Sequence, residues 1–96
     1  MIEIVHVTDV KVIAPTSLRI RFSNGTSGVR DFADIIAEGG PMVEALRDPA
    51  VFQRVFVQLG VLTWPNGFDL DAIRLHDEMK LAGSLEQIAP DLRAAE

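Results

Sequence analysis

The side chains able to do chemistry are sparse in this sequence, and their spacing limits what they can do. The two histidines, His6 and His76, stand seventy residues apart. Neither belongs to an H-x-x-x-H or H-x-x-E-H pair, so a metal site would have to gather carboxylates from distant segments. His76 precedes Asp77 in a stretch of helical pattern, where adjacent residues point in different directions and form no orienting pair. Ser17, Ser23, Ser27 and Ser84 could each be drawn into a Ser–His–Asp assembly, but none sits in a G-x-S-x-G elbow. Gly25, Gly28 and Gly39-Gly40 match neither G-x-G-x-x-G nor G-K-[ST] and read as turn glycines. Asp69 and Asp71 open like a calcium loop, yet the glycine and glutamate that complete one are missing. Both read instead as helix-capping residues. The absence of cysteine excludes a disulfide scaffold and any thiolate metal or iron–sulfur site. No catalytic, cofactor-binding or metal-binding set emerges, and an enzyme is not expected.

Charge narrows the partners. The 96 residues carry 14 Asp and Glu against 9 Lys and Arg, a net of −5, with a pI near 4.9. Such a chain has no overall attraction to nucleic acid or anionic lipid. The balance is uneven: residues 1–30 hold Lys11, Arg19, Arg21 and Arg30 against Glu3 and Asp9, and the acid excess lies in the rest. With 48% hydrophobic residues and a mean hydropathy of +0.21, the composition is that of a folding domain rather than a disordered tail. No apolar run approaches the roughly 20 residues of a membrane span. The start, Met1-Ile2-Glu3-Ile4-Val5, lacks the basic region and apolar stretch of a secretory signal, so a cytoplasmic location is expected.

The elements that must position these residues follow from periodicity. A β-branched stretch from about Glu3 to Ile13 is interrupted by His6, Thr8 and Asp9, which predicts a bulge or phase change near Thr8. Ala14-Pro15-Thr16-Ser17 is a turn. Leu18, Ile20 and Phe22 then alternate with Arg19 and Arg21, and Asn24-Gly25 supplies a tight hairpin turn, so a β-meander is expected over roughly residues 3–32. Phe32, Ile35 and Ile36 mark a short helix opened by Asp31 or Phe32 and stopped by Gly39-Gly40, and a further helical turn starts at Pro41. Asp48-Pro49 opens a one-turn helix. Val55 to Trp64 is a second hairpin or one bulged strand, broken at Gly60. Asp71 caps a helix over about Ala72–Lys80, with Ile73, His76 and Met79 along one side. Residues 1–83 are thus one α+β domain, an antiparallel sheet with three to four short helices mainly on one face. Residues 84–96 are a C-terminal tail or a short helix. Trp64, the single tryptophan, reads first as a core anchor and second as an interface anchor.

The order of these pieces resembles a known family. Leu18-x-Ile20-x-Phe22-Ser23-Asn24-Gly25, Val29-x-Asp31-Phe32, Leu46-Arg47-Asp48-Pro49-x-x-Phe52 and above all Trp64-Pro65-Asn66-Gly67-x-Asp69-Leu70 are similar to domain-of-unknown-function family 2442. The likeness covers roughly residues 3–78. Val61-Leu62-Thr63 is more apolar than the family's Gly-rich approach, and His76 stands where an aromatic is usual. The resemblance implies a small bacterial α+β domain without established catalysis. Some relatives carry a helix-turn-helix unit after it, but about fifteen residues follow Leu81 here, so direct nucleic-acid binding is not implied. Members are often encoded beside another small protein, in the manner of a toxin–antitoxin pair. The expected function is therefore a non-enzymatic protein-interaction module, the acidic, antitoxin-like half of such a pair. The alternative is a homodimeric small-ligand-binding or regulatory domain. Arg19 and Arg21 on the hairpin face, with Trp64, Asn66 and Asp69 at the turn, are the expected partner contacts; no cofactor is expected.

Overall fold

The computed structural model describes residues 4–87. Strand alternation builds the first third of the chain. β1 (Val7–Ala14), β2 (Ser17–Phe22) and β3 (Thr26–Asp31) each pair antiparallel with the next, with Leu18, Ile20 and Phe22 buried and Arg19 and Arg21 exposed. The predicted bulge falls at Thr8: Val7 faces Phe22 and Asp9 faces Arg21, leaving Thr8 as the extra residue. Its cause is legible in the side chains. Val5 and Val7 occupy odd positions, Val10 and Val12 even ones, and all four turn toward the core. One inserted residue swaps the phase of the pleat so that both pairs face inward. The strand begins at Val7, later than the pattern predicts.

At the β2–β3 turn Gly25 takes φ 85°, and its N–H donates to the Phe22 carbonyl at 3.1 Å. The Asn24 side-chain oxygen accepts from the Thr26 N–H at 3.2 Å and hydroxyl at 2.6 Å. A fourth strand, β7 (Leu85–Gln87), pairs antiparallel with β3, giving the order β1-β2-β3-β7. Where the sequence reading places a tail or short helix from residue 84, the chain supplies a strand, because β3 would otherwise leave its backbone groups unpaired. The rest of that segment, 88–96, lies outside the described residues. Gly28 makes the closure possible. A Cβ there would run into the Ser84 carbonyl and come within 2.9 Å of the Met79 methyl.

α1 (Ala33–Glu38) ends at Gly39 with φ 75°. The helical turn expected from Pro41 forms later, as a 3-10 turn over Glu44–Arg47 with Leu46 buried. α2 (Pro49–Phe52) is capped by the Asp48 carboxylate, which accepts from the Ala50 N–H at 2.9 Å. β4 (Phe56–Gln58) and β5 (Val61–Thr63) form a hairpin, resolving the two readings of that stretch. Its two turn residues, Leu59 and Gly60, both have positive φ, 52° and 76°, as a type I′ two-residue hairpin requires. β6 (Asp69–Leu70) adds the third strand of this second sheet.

α3 (Ala72–Leu81) starts where Asp71 accepts from the Arg74 N–H at 2.9 Å. Its buried face is Ala72, Leu75, His76 and Met79, an i, i+3, i+4, i+7 set. Ile73 is therefore not on that face and is 43% exposed, a correction to the sequence reading. The core lies between the two sheets and these helices and is centred on Trp64, whose ring meets Phe32, Phe52 and Phe68 at centroid distances of 6.3, 6.0 and 5.6 Å. The sheets are tied by the Val7 N–H, which donates to the Gly60 carbonyl at 2.8 Å.

Candidate functional site

Trp64 serves the core, while Asn66 is exposed and holds the corner that follows it. Trp64 is 1% exposed, and its indole N–H donates to the Phe52 carbonyl at 3.0 Å, which satisfies the one polar atom the ring carries inside. Gly67, at φ 93°, closes the turn by donating its N–H to the Trp64 carbonyl at 2.9 Å. Asn66 accepts from the Phe68 N–H at 3.2 Å and donates to the Met42 carbonyl at 2.8 Å. The Trp-Pro-Asn-Gly block is thus a corner that anchors the Met42 loop, and Trp64 is not presented to a partner.

Asp69 and Asp71 separate in role. Asp71 caps α3, whereas Asp69 lies in β6 opposite Thr63, so the capping expectation for Asp69 is corrected. Asp69 does line a cleft of about 420 Å³ between α1, β6 and α3, together with Asp34, Glu38, Asp71 and Glu78. Two arginines share it. The Arg30 guanidinium reaches Asp34 at 3.4 Å and Glu78 at 3.7 Å and lies 4.7 Å over the Phe32 ring. Arg74 meets Glu78 at 3.1 Å. Five carboxylates against two guanidiniums leave the cleft acidic. Neither contact was read from the sequence: Arg30 lies in β3 and Asp34 in α1, so their spacing carries no helical signal, and the approach of Glu78 depends on how α3 packs beside β3.

Arg19 and Arg21 project from the outer face of β2, away from the core. Each strand pairing extends their rows. Lys11 and Val29 flank Arg19, while Asp9 and Ser27 flank Arg21, with Glu86 beyond Ser27. A pocket of about 540 Å³ opens here, lined by both arginines with Ser27, Gly28, Ser84 and Glu86 among others. Sequence reasoning missed Ser27 and Ser84 because only the β3–β7 pairing brings them to the same place.

His76 and Asp77 do meet, contrary to the sequence reading: Nδ1 of His76 lies 3.3 Å from the Asp77 carboxylate. On its other side Nε2 lies 3.1 Å from the Asn24 side-chain nitrogen. Asn24 turns its oxygen to Thr26, so its NH2 is the donor and Nε2 the acceptor, which puts the neutral ring's proton on Nδ1 beside Asp77. The Phe22 and His76 rings stand nearly perpendicular, 87°, at a centroid distance of 5.1 Å. This network pins the β2–β3 turn to α3. His6 is exposed at the end of the segment entering β1. Among the described residues no group of three or more His, Cys, Asp or Glu is gathered to hold a metal ion, and no helix is long and apolar enough to cross a membrane.

The molecule is a small α+β domain of two antiparallel sheets, with an acidic cleft in one place and a cationic pocket in another. The chain belongs to the family described as "Protein of unknown function (DUF2442)", which matches it over residues 7–80. No curated protein and no solved structure matches the chain.

Proposed function

We propose that this chain is a non-enzymatic protein-interaction module of the bacterial cytoplasm, the acidic half of a two-protein pair of the toxin–antitoxin type. The observation that carries this reading is the segregation of charge. Asp34, Glu38, Asp69, Asp71 and Glu78 surround one cleft with only Arg30 and Arg74 between them, on a chain whose net charge is −5. Carboxylates gathered in this way steer a basic partner to one place and suppress other encounters. Among the described residues Glu38 and Asp69 engage no arginine, and their charge is available to such a partner. Asp69 is then the contact at this cleft, while Arg19 and Arg21 serve a different face.

The test is co-expression with the small protein encoded beside it. A 1:1 complex is expected, weakened by salt and weakened at least tenfold by the combined Glu38→Lys and Asp69→Lys substitutions, with the melting temperature of the free domain kept. No complex, or one indifferent to both the substitutions and salt, overturns the reading.

A further inference from the structure

Among the described residues Arg19 and Arg21 are left without a carboxylate, in an acid-rich protein. Arg30, Arg47 and Arg74 each meet one within 4 Å, whereas among the described residues Arg19, Arg21 and Arg54 meet none, and Arg19 and Arg21 stand together in one pocket. Asp9 stands directly opposite Arg21, and Glu86 lies on the same face two strands away, so partners were within reach of the sheet's own register. Alternate residues of a strand lie about 7 Å apart on one face. At that spacing two guanidinium forks can close on one tetrahedral oxyanion, each N–H···O contact being about 2.8 Å.

The neighbouring hydroxyls point the same way. Ser27, opposite Arg21, is only 7% exposed, and its hydroxyl has no hydrogen-bond partner among the described residues. Yet it is not sealed in, since no buried side-chain oxygen lacks a partner among them, so its opening is to the pocket it lines. Ser84 lines the same pocket with its hydroxyl likewise unpartnered among the described residues. Two forks and two hydroxyls exceed what the two oxygens of a carboxylate can use, and match the three or more oxygens and greater charge of a phosphate group. Glu86 on the rim disfavours a polyanion and can accept a hydrogen bond from a ligand hydroxyl.

We propose that this outer-face pocket binds a small phosphomonoester, its phosphate gripped by Arg19 and Arg21 and completed by the hydroxyls of Ser27 and Ser84. The site is separate from the acidic cleft and does not depend on the partner reading. Titration of the 15N-labelled protein with inorganic phosphate and with ribose 5-phosphate, against chloride at equal ionic strength, tests it. Saturable shifts confined to Arg19, Arg21, Ser27, Ser84 and their neighbours are expected for both probes, tighter for ribose 5-phosphate. Arg19→Gln with Arg21→Gln should cost at least tenfold in affinity and Ser27→Ala a few-fold, while the exposed Arg54→Gln changes nothing. Both arginines are exposed, so the double variant keeps its melting temperature. The proposal is overturned if neither probe gives saturable shifts, or if the shifts survive the double substitution. It is also overturned if a single-stranded oligonucleotide binds more tightly than ribose 5-phosphate with steep salt dependence, which would assign the face to nucleic-acid backbone.

Discussion

Asp31 joins three parts of the chain through one oxygen. Its carboxylate accepts from the Thr16 hydroxyl at 2.7 Å and from the Ala33 N–H at 2.9 Å, tying the β1–β2 turn to the end of β3 and the start of α1. The Thr16 bond first, then the Ala33 bond, hold its pKa below the ordinary carboxylate value, with Arg30 adding to the effect against some desolvation. A carboxylate whose pKa is depressed on folding adds stability above its unfolded value of about 3.9, and that stability is lost as pH falls through the lower folded value. Asp31→Asn keeps an acceptor oxygen but removes the titration. Its melting temperature should fall below wild type at pH 7, and the difference should shrink steadily as pH falls below about 4. A constant difference across that range would remove Asp31 from the acid response. Asp31 was visible in the sequence as a helix opener, while Thr16 was legible only as a turn residue, because the contact spans fifteen positions. The buried indole of Trp64 was likewise anticipated. Its acceptor, the Phe52 carbonyl, was not, since carbonyl directions are set by the packing of α2.

Local chemistry governs the elements, and there the sequence was most readable. The Asp71 cap illustrates why: an acceptor at the N-cap satisfies an otherwise orphaned N–H within three residues, so the signal is confined to the segment. Asp71→Ala should cost about 1 kcal/mol in urea unfolding, with Asp71→Ser restoring most of it. An unchanged midpoint would mean that α3 is held by its buried face alone. The β-meander, its Thr8 bulge and the Asn24-Gly25 turn were legible for the same reason. β7 was not. Leu85-Glu86-Gln87 has no periodicity of its own, and it is a strand because β3 offers an edge and Gly28 leaves room for the Ser84 carbonyl. Ile73 was misplaced because three apolar residues can be drawn along more than one side of a helix. The choice falls to the side on which Ala72, Leu75 and His76 also lie.

For the whole molecule, the joint between the two sheets is the feature no local pattern announces. Gly60 serves it twice, accepting from the Val7 N–H at 2.8 Å and leaving bare the space beside the His6 Cβ, 2.7 Å from where its own Cβ would stand. Gly60→Ala should cost more than the 1–2 kcal/mol or so of left-handed backbone strain alone. Gly83→Ala supplies the comparison, since it has nearly the same φ, 74°, and nothing within 4 Å of its added carbon. Equal losses in the two variants would mean that His6 moves aside without penalty. The same long-range character explains why the acidic cleft and the cationic pocket were only half visible. Each is assembled from segments that share no local signal, with Asp69 at one and Arg19 and Arg21 at the other.

The late arrival of β7 has a consequence for synthesis. A nascent chain completes the β1–β3 meander roughly fifty residues before the strand that covers its far edge, a delay of a few seconds at about 5–20 residues per second. During that interval β3 is an open template beside the ribosome, and Gly28 gives it no side chain on the inner face to obstruct a stray strand. The edge stays open until Leu85–Gln87 emerges and closes the sheet.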